Sequence, residues 1–234
     1  MIKNQSTYQQ IHLLLKNRFF WSIFFLLLIH VSGAIGMVFF DMELFASMTP
    51  YNLIVMFIIL VGNEHELSVT FMYAFLLAGI SGFLSEFFGI NYGVLFGHYA
   101  YGDVLGIKWF GVPLLISINW FSIVFCSFVT TGNLLNKFVP HYKTLPASVL
   151  IYGLLTAILT TGFDWLMEPV ALKLGFWSWE NGIIPLYNYV CWFVVSFLIA
   201  ICFLKLKVKF SNSFATWLFV VQAVFFLFLR IFLK

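Results

Sequence analysis

The sequence predicts an all-α polytopic membrane protein. Hydrophobic residues make up 62% of the 234 residues and charged residues only 9%, whereas soluble domains carry about 25% charged residues. The mean hydropathy is +1.01. The apolar segments are about 20 residues long, as membrane-spanning helices require, and lack the alternation of β-barrel strands. We therefore predict a single transmembrane domain over residues 1–234.

Seven apolar segments are predicted to cross the membrane. They lie at approximately 19–40, 46–62, 68–89, 111–134, 145–167, 184–204 and 213–233. The second is the weakest, because Thr49, Pro50 and Asn52 fall in its first turns.

Lysine and arginine positions predict the orientation. With a cytoplasmic N-terminal segment, residues 1–18, the cytoplasmic side holds eight of these residues and the opposite side four. Positive residues accumulate on the cytoplasmic side of membrane proteins, so this orientation is favoured. We expect a multi-pass protein of the plasma (inner) membrane. The net charge of +3 follows from this asymmetry and indicates no nucleic-acid partner.

Two parts of the chain, 68–134 and 145–204, follow one plan. In each, a span ends near acidic residues, an aromatic loop follows, and a proline begins the next span. Trp120 lies seven residues after Pro113, and Trp192 lies seven residues after Pro185. Proline is favoured in the first turn of a helix, where its missing N–H costs nothing. Both first spans run in the same direction, which predicts a parallel pseudo-repeat whose two loops meet on the non-cytoplasmic side.

Each loop also carries a signal for a β-hairpin turn. Gly102-Asp103 lies between tyrosine-rich and apolar residues, and Asn181-Gly182 is a pair typical of a type I′ turn. We therefore expect two hairpin-like loops.

Three acidic residues end spans of this repeat. Glu86 ends the third span, and Asp164 and Glu168 end the fifth. An acid at a helix centre in the bilayer costs about 2.5–3.5 kcal/mol, and such residues are functional by default. Asp164 and Glu168 are four residues apart and share one helix face. Ala78 and Gly82 lie below Glu86 on its face and favour close helix packing. We predict catalytic roles for the three acids.

Aromatic and amide side chains surround these acids in the sequence. An interfacial aromatic belt explains half or more of the aromatic residues, but Trp120 and Trp192 lie two turns inside their helices. The candidate substrate-binding residues are Tyr99, Tyr101, Asn119, Trp120, Trp165, Trp177, Trp179, Asn188 and Trp192.

The motifs of several other chemistries are missing from the sequence. The five histidines are scattered, the three cysteines show no metal spacing, and there is no phosphate-binding loop. We therefore predict no metal and no cofactor. Acids and aromatic rings in an apolar setting suit proton transfer to an alkene. A carboxylic acid donates the proton, a carboxylate orients water, and aromatic faces stabilise the carbocation.

The same residues carry a family resemblance. Glu86, FGHYAYGDVLG, GVPLLISINW, DWLMEPVALKLGFWSW and IPLYNYVCWF resemble a membrane carotenoid-biosynthesis family. That family includes the carotenoid 1′,2′-hydratases and the bisanhydrobacterioruberin hydratases. The resemblance covers residues 60–205, and it lies in ordered polar, glycine, proline and tryptophan positions.

The resemblance implies a cofactor-independent hydro-lyase of carotenoid biosynthesis. It would add water across the terminal C=C of an acyclic (ψ) end group, by carboxylic-acid protonation and capture of the carbocation. Its substrate would be an acyclic or monocyclic carotenoid taken from the bilayer, such as lycopene or γ-carotene, and other carotenoid enzymes are candidate partners. In this interpretation Asp164 or Glu168 is the acid, Glu86 helps to hold the water, and Asn119 and Asn188 bind the water or the new hydroxyl.

Other functions remain open from the sequence. Membrane lycopene cyclases also place aromatic residues before a proline-led helix, but they carry Pro-x-Glu-Glu where this chain has Pro185-Leu-Tyr-Asn. A prenyl transferase could hold magnesium diphosphate with Asp164 and Glu168, but it would need a second acidic motif. A non-enzymatic seven-helix transporter or a carotenoid-binding protein would use the acids differently.

Overall fold

The computed structural model describes residues 2–64, 66–144, 146–209 and 211–233. Its α-helices are α1 (Ile2–Phe39), α2 (Met42–Ser47), α3 (Thr49–Gly62), α4 (Val69–Tyr92), α5 (Leu115–Phe138), α6 (Ser148–Lys173), α7 (Leu186–Lys205) and α8 (Ser213–Phe232). Within the described residues, six are long and apolar enough to cross a membrane: α1 over Asn17–Phe39, α4, α5, α6, α7 and α8. The predicted class, an all-α multi-pass membrane protein, is confirmed.

The predicted span 46–62 is not one long helix. Asp41 accepts a hydrogen bond from the Leu44 N–H and begins α2, and a separate helix, α3, begins at Thr49. With 14 residues, α3 is about 21 Å long and shorter than a full span. The segment 46–62, predicted as the weakest of the seven spans, is therefore not a full-length span, because α2 ends at Ser47 and α3 begins at Thr49.

The chain nevertheless returns across the bundle between α1 and α4. Asn63, directly after α3, donates its side-chain amide to Ser22 Oγ at 2.7 Å. Ser22 lies near the beginning of the apolar part of α1. The segment α2–α3 thus brings the chain back to the end at which that part of α1 begins. The following helices therefore alternate in direction as they would if the chain crossed the membrane seven times.

The helices define two ends of the bundle. At one end, the loop end, residues 93–114 and 174–185 connect α4 to α5 and α6 to α7. The helices α6 and α8 also finish there, and Lys173 donates to the Leu233 carbonyl at 2.6 Å. At the opposite end, Lys209 pairs with Glu66 at 3.2 Å.

Two short antiparallel β-pairs order the loop end. The strands are β1 (Tyr99–Tyr101), β2 (Lys108–Trp109), β3 (Val112–Pro113) and β4 (Trp177–Trp179). In the first pair, β1 joins β4, with Tyr99 opposite Trp179 and Tyr101 opposite Trp177. The predicted meeting of the two loops is therefore direct, since they share a sheet.

Of the two hairpins predicted, the structure has one, in the first loop, and its turn is not at the predicted residues. The hairpin turn lies between β2 and β3 at Phe110-Gly111, with φ of 49° and 82°, as a type I′ turn requires. Gly102-Asp103 follows β1 and makes no hairpin. Asn181-Gly182 has positive φ at both residues, but the chain continues into α7. Neither predicted turn forms a hairpin, because β1 and β4 pair with each other and not with a second strand of their own loops.

The central helix is α5, most of which is buried, whereas α1, α4 and α8 present apolar side chains such as Phe24, Leu76 and Val224 on the outer surface. An apolar exterior is what contact with lipid requires. Close packing of α4 against α5 depends on Gly82, because a Cβ there would overlap the Trp120 ring. The small residue expected at this position therefore lets Trp120 lie against α4, beside Glu86.

Candidate functional site

Three carboxylates lie together at the loop end, around a small cavity. Glu86, Asp164 and Glu168 are 4%, 1% and 2% exposed, and all three line the cavity. Its volume is about 20 Å³, which is room for one water molecule. No lysine, arginine or histidine is among the described residues that line it. Without a nearby cation, three carboxylates in one buried site cannot all be charged, so the cluster holds at least one proton.

Glu86 is held by hydrogen bonds from three neutral side chains. Tyr99 and Tyr101 donate their hydroxyls to Oε2, Tyr101 at 2.9 Å. Trp120 donates Nε1 to Oε1 at 3.0 Å. Both tyrosines reach the same oxygen because residues two apart on a strand point to one side. The carboxylate is therefore fixed by the loop on one side and by α5 on the other.

Burial keeps these two tyrosines in the form that donates. Removal from water, and then the charge of Glu86, raise the pKa of the Tyr99 and Tyr101 hydroxyls well above the usual value near 10. A phenol loses its proton only when the pH exceeds its pKa. Both hydroxyls therefore stay protonated at physiological pH and continue to donate to Glu86.

Glu168 is held in a matching way by β4. Trp177 and Trp179 donate Nε1 to its Oε2 at 3.0 and 2.8 Å. Asn188, from α7, donates to Glu168 Oε1 at 3.3 Å and to Asp164 Oδ2 at 2.9 Å. The side-chain amide of Asn188 therefore links the two acids of α6.

Asp164 differs from the other two acids in its partners. Among the described residues, its side chain accepts a hydrogen bond only from Asn188, and its Oδ1 is buried without a partner there. A buried acceptor without a donor costs about 1–3 kcal/mol, and such exceptions in a structure call for an explanation. In this cavity Oδ1 is the carboxylate oxygen left available for a proton or a reactant.

The hydrogen-bond pattern supports the parallel repeat. Glu86 precedes Tyr99, the first residue of β1, by 13 residues, and Asp164 precedes Trp177, the first residue of β4, by the same number. Each strand supplies two aromatic donors to one carboxylate. The second repeat differs by the additional acid Glu168, which receives the donors of β4 and leaves Asp164 Oδ1 without one.

Three aromatic rings that line the acid cavity pack against one another. Trp120 and Trp192 stack with their ring centroids 3.8 Å apart and their planes 6° from parallel. Phe96 packs at 6.2 Å from Trp120 and 6.4 Å from Trp192. The two tryptophans at matching positions of the repeat therefore stack on each other at the acid cavity.

A second, larger cavity adjoins the acid cavity. Its volume is about 270 Å³, and it lies between α1, α2 and α3 on one side and α5, α6 and α8 on the other. Ile116, Asn119, Met167 and Trp177 line both cavities. The side-chain amide of Asn119 makes no hydrogen bond to any residue that the structure describes, and it lines both spaces.

The structure brings together eleven of the twelve residues predicted for the site. The three acids and Tyr99, Tyr101, Asn119, Trp120, Trp177, Trp179, Asn188 and Trp192 all line the acid cavity.

Trp165 is the exception, and it lies outside the cavity. Its side chain is 50% exposed, and the Arg230 guanidinium lies over its ring at 3.9 Å. Pro169 has no N–H to donate to the Trp165 carbonyl, and Arg230 donates to that carbonyl instead, at 2.8 Å. Trp165 therefore stabilises α6 beside a proline, and the site does not include it.

Three cavity residues were missed by the sequence reasoning: Phe96, Ile116 and Met167. Helical spacing could have found two of them, because Ile116 is four residues before Trp120 and Met167 is three after Asp164. Phe96 has a positive φ of 64°, which is uncommon for an aromatic residue. Nothing in the sequence predicts that conformation.

Comparison with known proteins identifies the family. A search of curated proteins and a search of solved structures each gave no match. The family model described as "Carotenoid biosynthesis protein" matches residues 46–233, which include both loops, the three acids and every aromatic residue of the cavity. The chain therefore belongs to the carotenoid biosynthesis protein family.

Proposed function

We propose that this protein is a carotenoid hydratase that adds water across the terminal double bond of an acyclic carotenoid end group. The observation that carries the proposal is a buried carboxyl oxygen without a partner, Asp164 Oδ1, in a cavity with room for one water. An acid and a water are the two reactants that alkene hydration needs besides the alkene. Family membership supports a carotenoid-related substrate.

Asp164 is the proton donor in this proposal. Glu86 and Glu168 each accept hydrogen bonds from three side chains, two of them from one loop strand. Donors directed at a carboxylate stabilise its charged form. The proton that the cluster must hold therefore resides on Asp164, whose Oδ1 faces no donor among the described residues.

The reaction then proceeds in two balanced steps. Asp164 transfers its proton to the less substituted alkene carbon, the π bond breaks, and a tertiary carbocation forms. The oxygen of a water held by Glu86 and Asn119 bonds to that cation, and the water's second proton passes to Glu86. Return of this proton to Asp164 restores the cluster, so the net change is one water added to the alkene.

The aromatic rings that line the acid cavity stabilise the cation between these steps. A cation over a well-placed ring gains about 0.5–2 kcal/mol, and Phe96, Trp120 and Trp192 supply rings next to the acids. The two hydroxyls that line the acid cavity, those of Tyr99 and Tyr101, are already engaged as donors to Glu86. Water is therefore the nucleophile best placed to capture the cation.

The runner-up is a cyclase, which would also begin by protonating the terminal double bond. The membrane lycopene cyclases that the chain resembles carry Pro-x-Glu-Glu where this chain has Pro185-Leu-Tyr-Asn. The absence of both acids at that point favours hydration over ring closure. A magnesium-dependent transferase is less favoured, because the Glu168 oxygens are already bonded to Trp177, Trp179 and Asn188.

Product analysis tests the proposal. The protein is expressed in cells that make lycopene or γ-carotene, and the carotenoids are analysed by mass spectrometry after growth in water enriched in heavy oxygen. We expect a product one water heavier whose added oxygen comes from water. An isomer of unchanged mass would indicate a cyclase. Unchanged carotenoids would indicate a transport or binding protein and would contradict the proposal.

A further inference from the structure

We infer that the larger cavity, between α1, α3, α5 and α8, binds the part of the isoprenoid chain next to the reacting double bond. This inference rests on the proposed function for the identity of the ligand. It assigns the substrate to a part of the fold that lies outside the acid cluster and that includes α1, all of which precedes the matched segment 46–233.

Continuity with the acid cavity is the first argument. The two cavities share Ile116, Asn119, Met167 and Trp177. Trp177 also donates to Glu168 at 3.0 Å. A chain in the larger cavity would therefore end against the residues that hold the acids, with Asn119 beside its terminal carbon atoms.

The size of the larger cavity indicates how much of the chain it seats. Apolar cavities of about 150 Å³ bind benzene, so a volume of about 270 Å³ seats roughly ten carbon atoms, or two isoprene units. A polyene is much longer than this. We therefore place only its reacting end in the cavity and the remainder in the bilayer.

The lining of the larger cavity fits a branched hydrocarbon with an access route from lipid. Met37, Leu53, Phe163 and Phe226 are among its apolar residues. Met48 also lines it and is 48% exposed on the outer surface. We place the entry of the substrate from the bilayer at this exposed edge of the cavity, beside α2 and α3.

Gly33 provides a way to fill the larger cavity. It lines the cavity, and a Cβ at this position would lie 3.7 Å from a Phe225 ring carbon, an ordinary contact. Gly33→Leu therefore extends into the space that we assign to the substrate. Gly162→Leu is the matched control, because Gly162 is exposed and a Cβ there would meet nothing within 4 Å.

Binding and turnover are measured separately. Lycopene binding is followed in lipid nanodiscs by quenching of tryptophan fluorescence, on an Asp164→Asn background that prevents turnover. Hydration is measured with the acid intact. We expect Gly33→Leu to weaken both lycopene binding and kcat/KM at least tenfold, Gly33→Ala to give a smaller loss, and Gly162→Leu to stay within twofold of the parent protein.

The outcomes distinguish this inference from the proposed function. Unchanged lycopene binding in correctly folded Gly33→Leu or Gly33→Ala would overturn the inference. Slower hydration with unchanged lycopene binding would also overturn it, because that result would mean that the larger cavity holds water and not the substrate. Weakened binding in a protein that hydrates no carotenoid would overturn the proposed function and leave the inference standing.

Discussion

Hydrogen-bond partners divide the three acids into two kinds. Glu86 and Glu168 each accept from three side chains, whereas Asp164 accepts from Asn188 and keeps Oδ1 unpaired among the described residues. Residue type alone would not separate them, because all three are carboxylic acids buried in the C-terminal halves of α4 and α6. The neighbours therefore determine which acid has an oxygen without a donor, and this is the acid that we propose as the proton donor.

Asp164→Asn tests this division. Asparagine keeps the size of the side chain and cannot act as an acid, and a general acid contributes about 10²–10⁴ to a rate. We expect hydration to fall by about a thousandfold while lycopene binding is retained, as measured by product formation and fluorescence quenching.

The matched control for Asp164→Asn is Asp103→Asn. Asp103 is exposed in the loop and pairs with Lys108 at 2.8 Å, outside the acid cavity. We expect it to keep activity within twofold of the parent protein. An Asp164→Asn protein that retained a tenth or more of the activity would remove Asp164 from the acid role.

Helix packing and strand pairing place the side chains of the site. Strand β1 carries the donors to Glu86 and β4 carries the donors to Glu168, and the two strands pair with each other. The acids of α4 and α6 are therefore connected through one small sheet. Gly82 sets the separation of α4 from α5, since its missing side chain leaves space for Trp120.

Gly82→Ala tests the packing of α4 on α5. Its Cβ would overlap Trp120, and overpacking of this kind costs about 1–3 kcal/mol. Displacing Trp120 also disturbs its hydrogen bond to Glu86 and its stack on Trp192. We expect a lower midpoint of thermal unfolding in detergent, together with at least a tenfold loss of activity.

Gly162→Ala is the control for this packing prediction. Both substitutions gain the same helix propensity, about 1 kcal/mol, but a Cβ at Gly162 meets nothing within 4 Å. We expect it to be neutral or slightly stabilising. Equal behaviour of the two variants would show that α4 and α5 are not packed through Gly82.

The whole molecule is a bundle whose acid cluster lies at one end. The helices α4 and α6 run towards that end and α5 and α7 leave it, because α2 and α3 return the chain after α1. The distribution of lysine and arginine predicts that this loop end is non-cytoplasmic. A site there would act on the reacting end of a polyene in the outer part of the bilayer.

Cysteine labelling tests this orientation. Ala100 in β1 and Ser211 before α8 are both exposed, at opposite ends of the bundle. The native cysteines are buried or half-buried, which limits background labelling by a membrane-impermeant maleimide. We expect Ala100→Cys to react in intact spheroplasts and Ser211→Cys to react only after permeabilisation. The reverse pattern would invert the orientation, and labelling of both from outside would contradict the alternation of the helices.

The sequence by itself determined the membrane class and most of the helices, and it predicted most of the residues that line the acid cavity. Apolar length and the cost of buried charge act locally along the chain, so 20-residue segments and their few acids can be recognised without a fold. The repeated Pro-Leu-x5-Trp spacing also predicted that two loops meet, and eleven of twelve predicted site residues line one cavity.

The tertiary structure decided which acid has an oxygen without a partner among the described residues, which strands pair and where the two cavities lie. These properties depend on contacts between residues far apart in the chain, such as Trp120 with Glu86 and Asn188 with Asp164. It also divided the span 46–62 and placed Trp165 outside the site, because Asp41 begins a separate helix and Arg230 satisfies the carbonyl that Pro169 leaves free. Periodicity and composition record none of these contacts, since each depends on how helices pack.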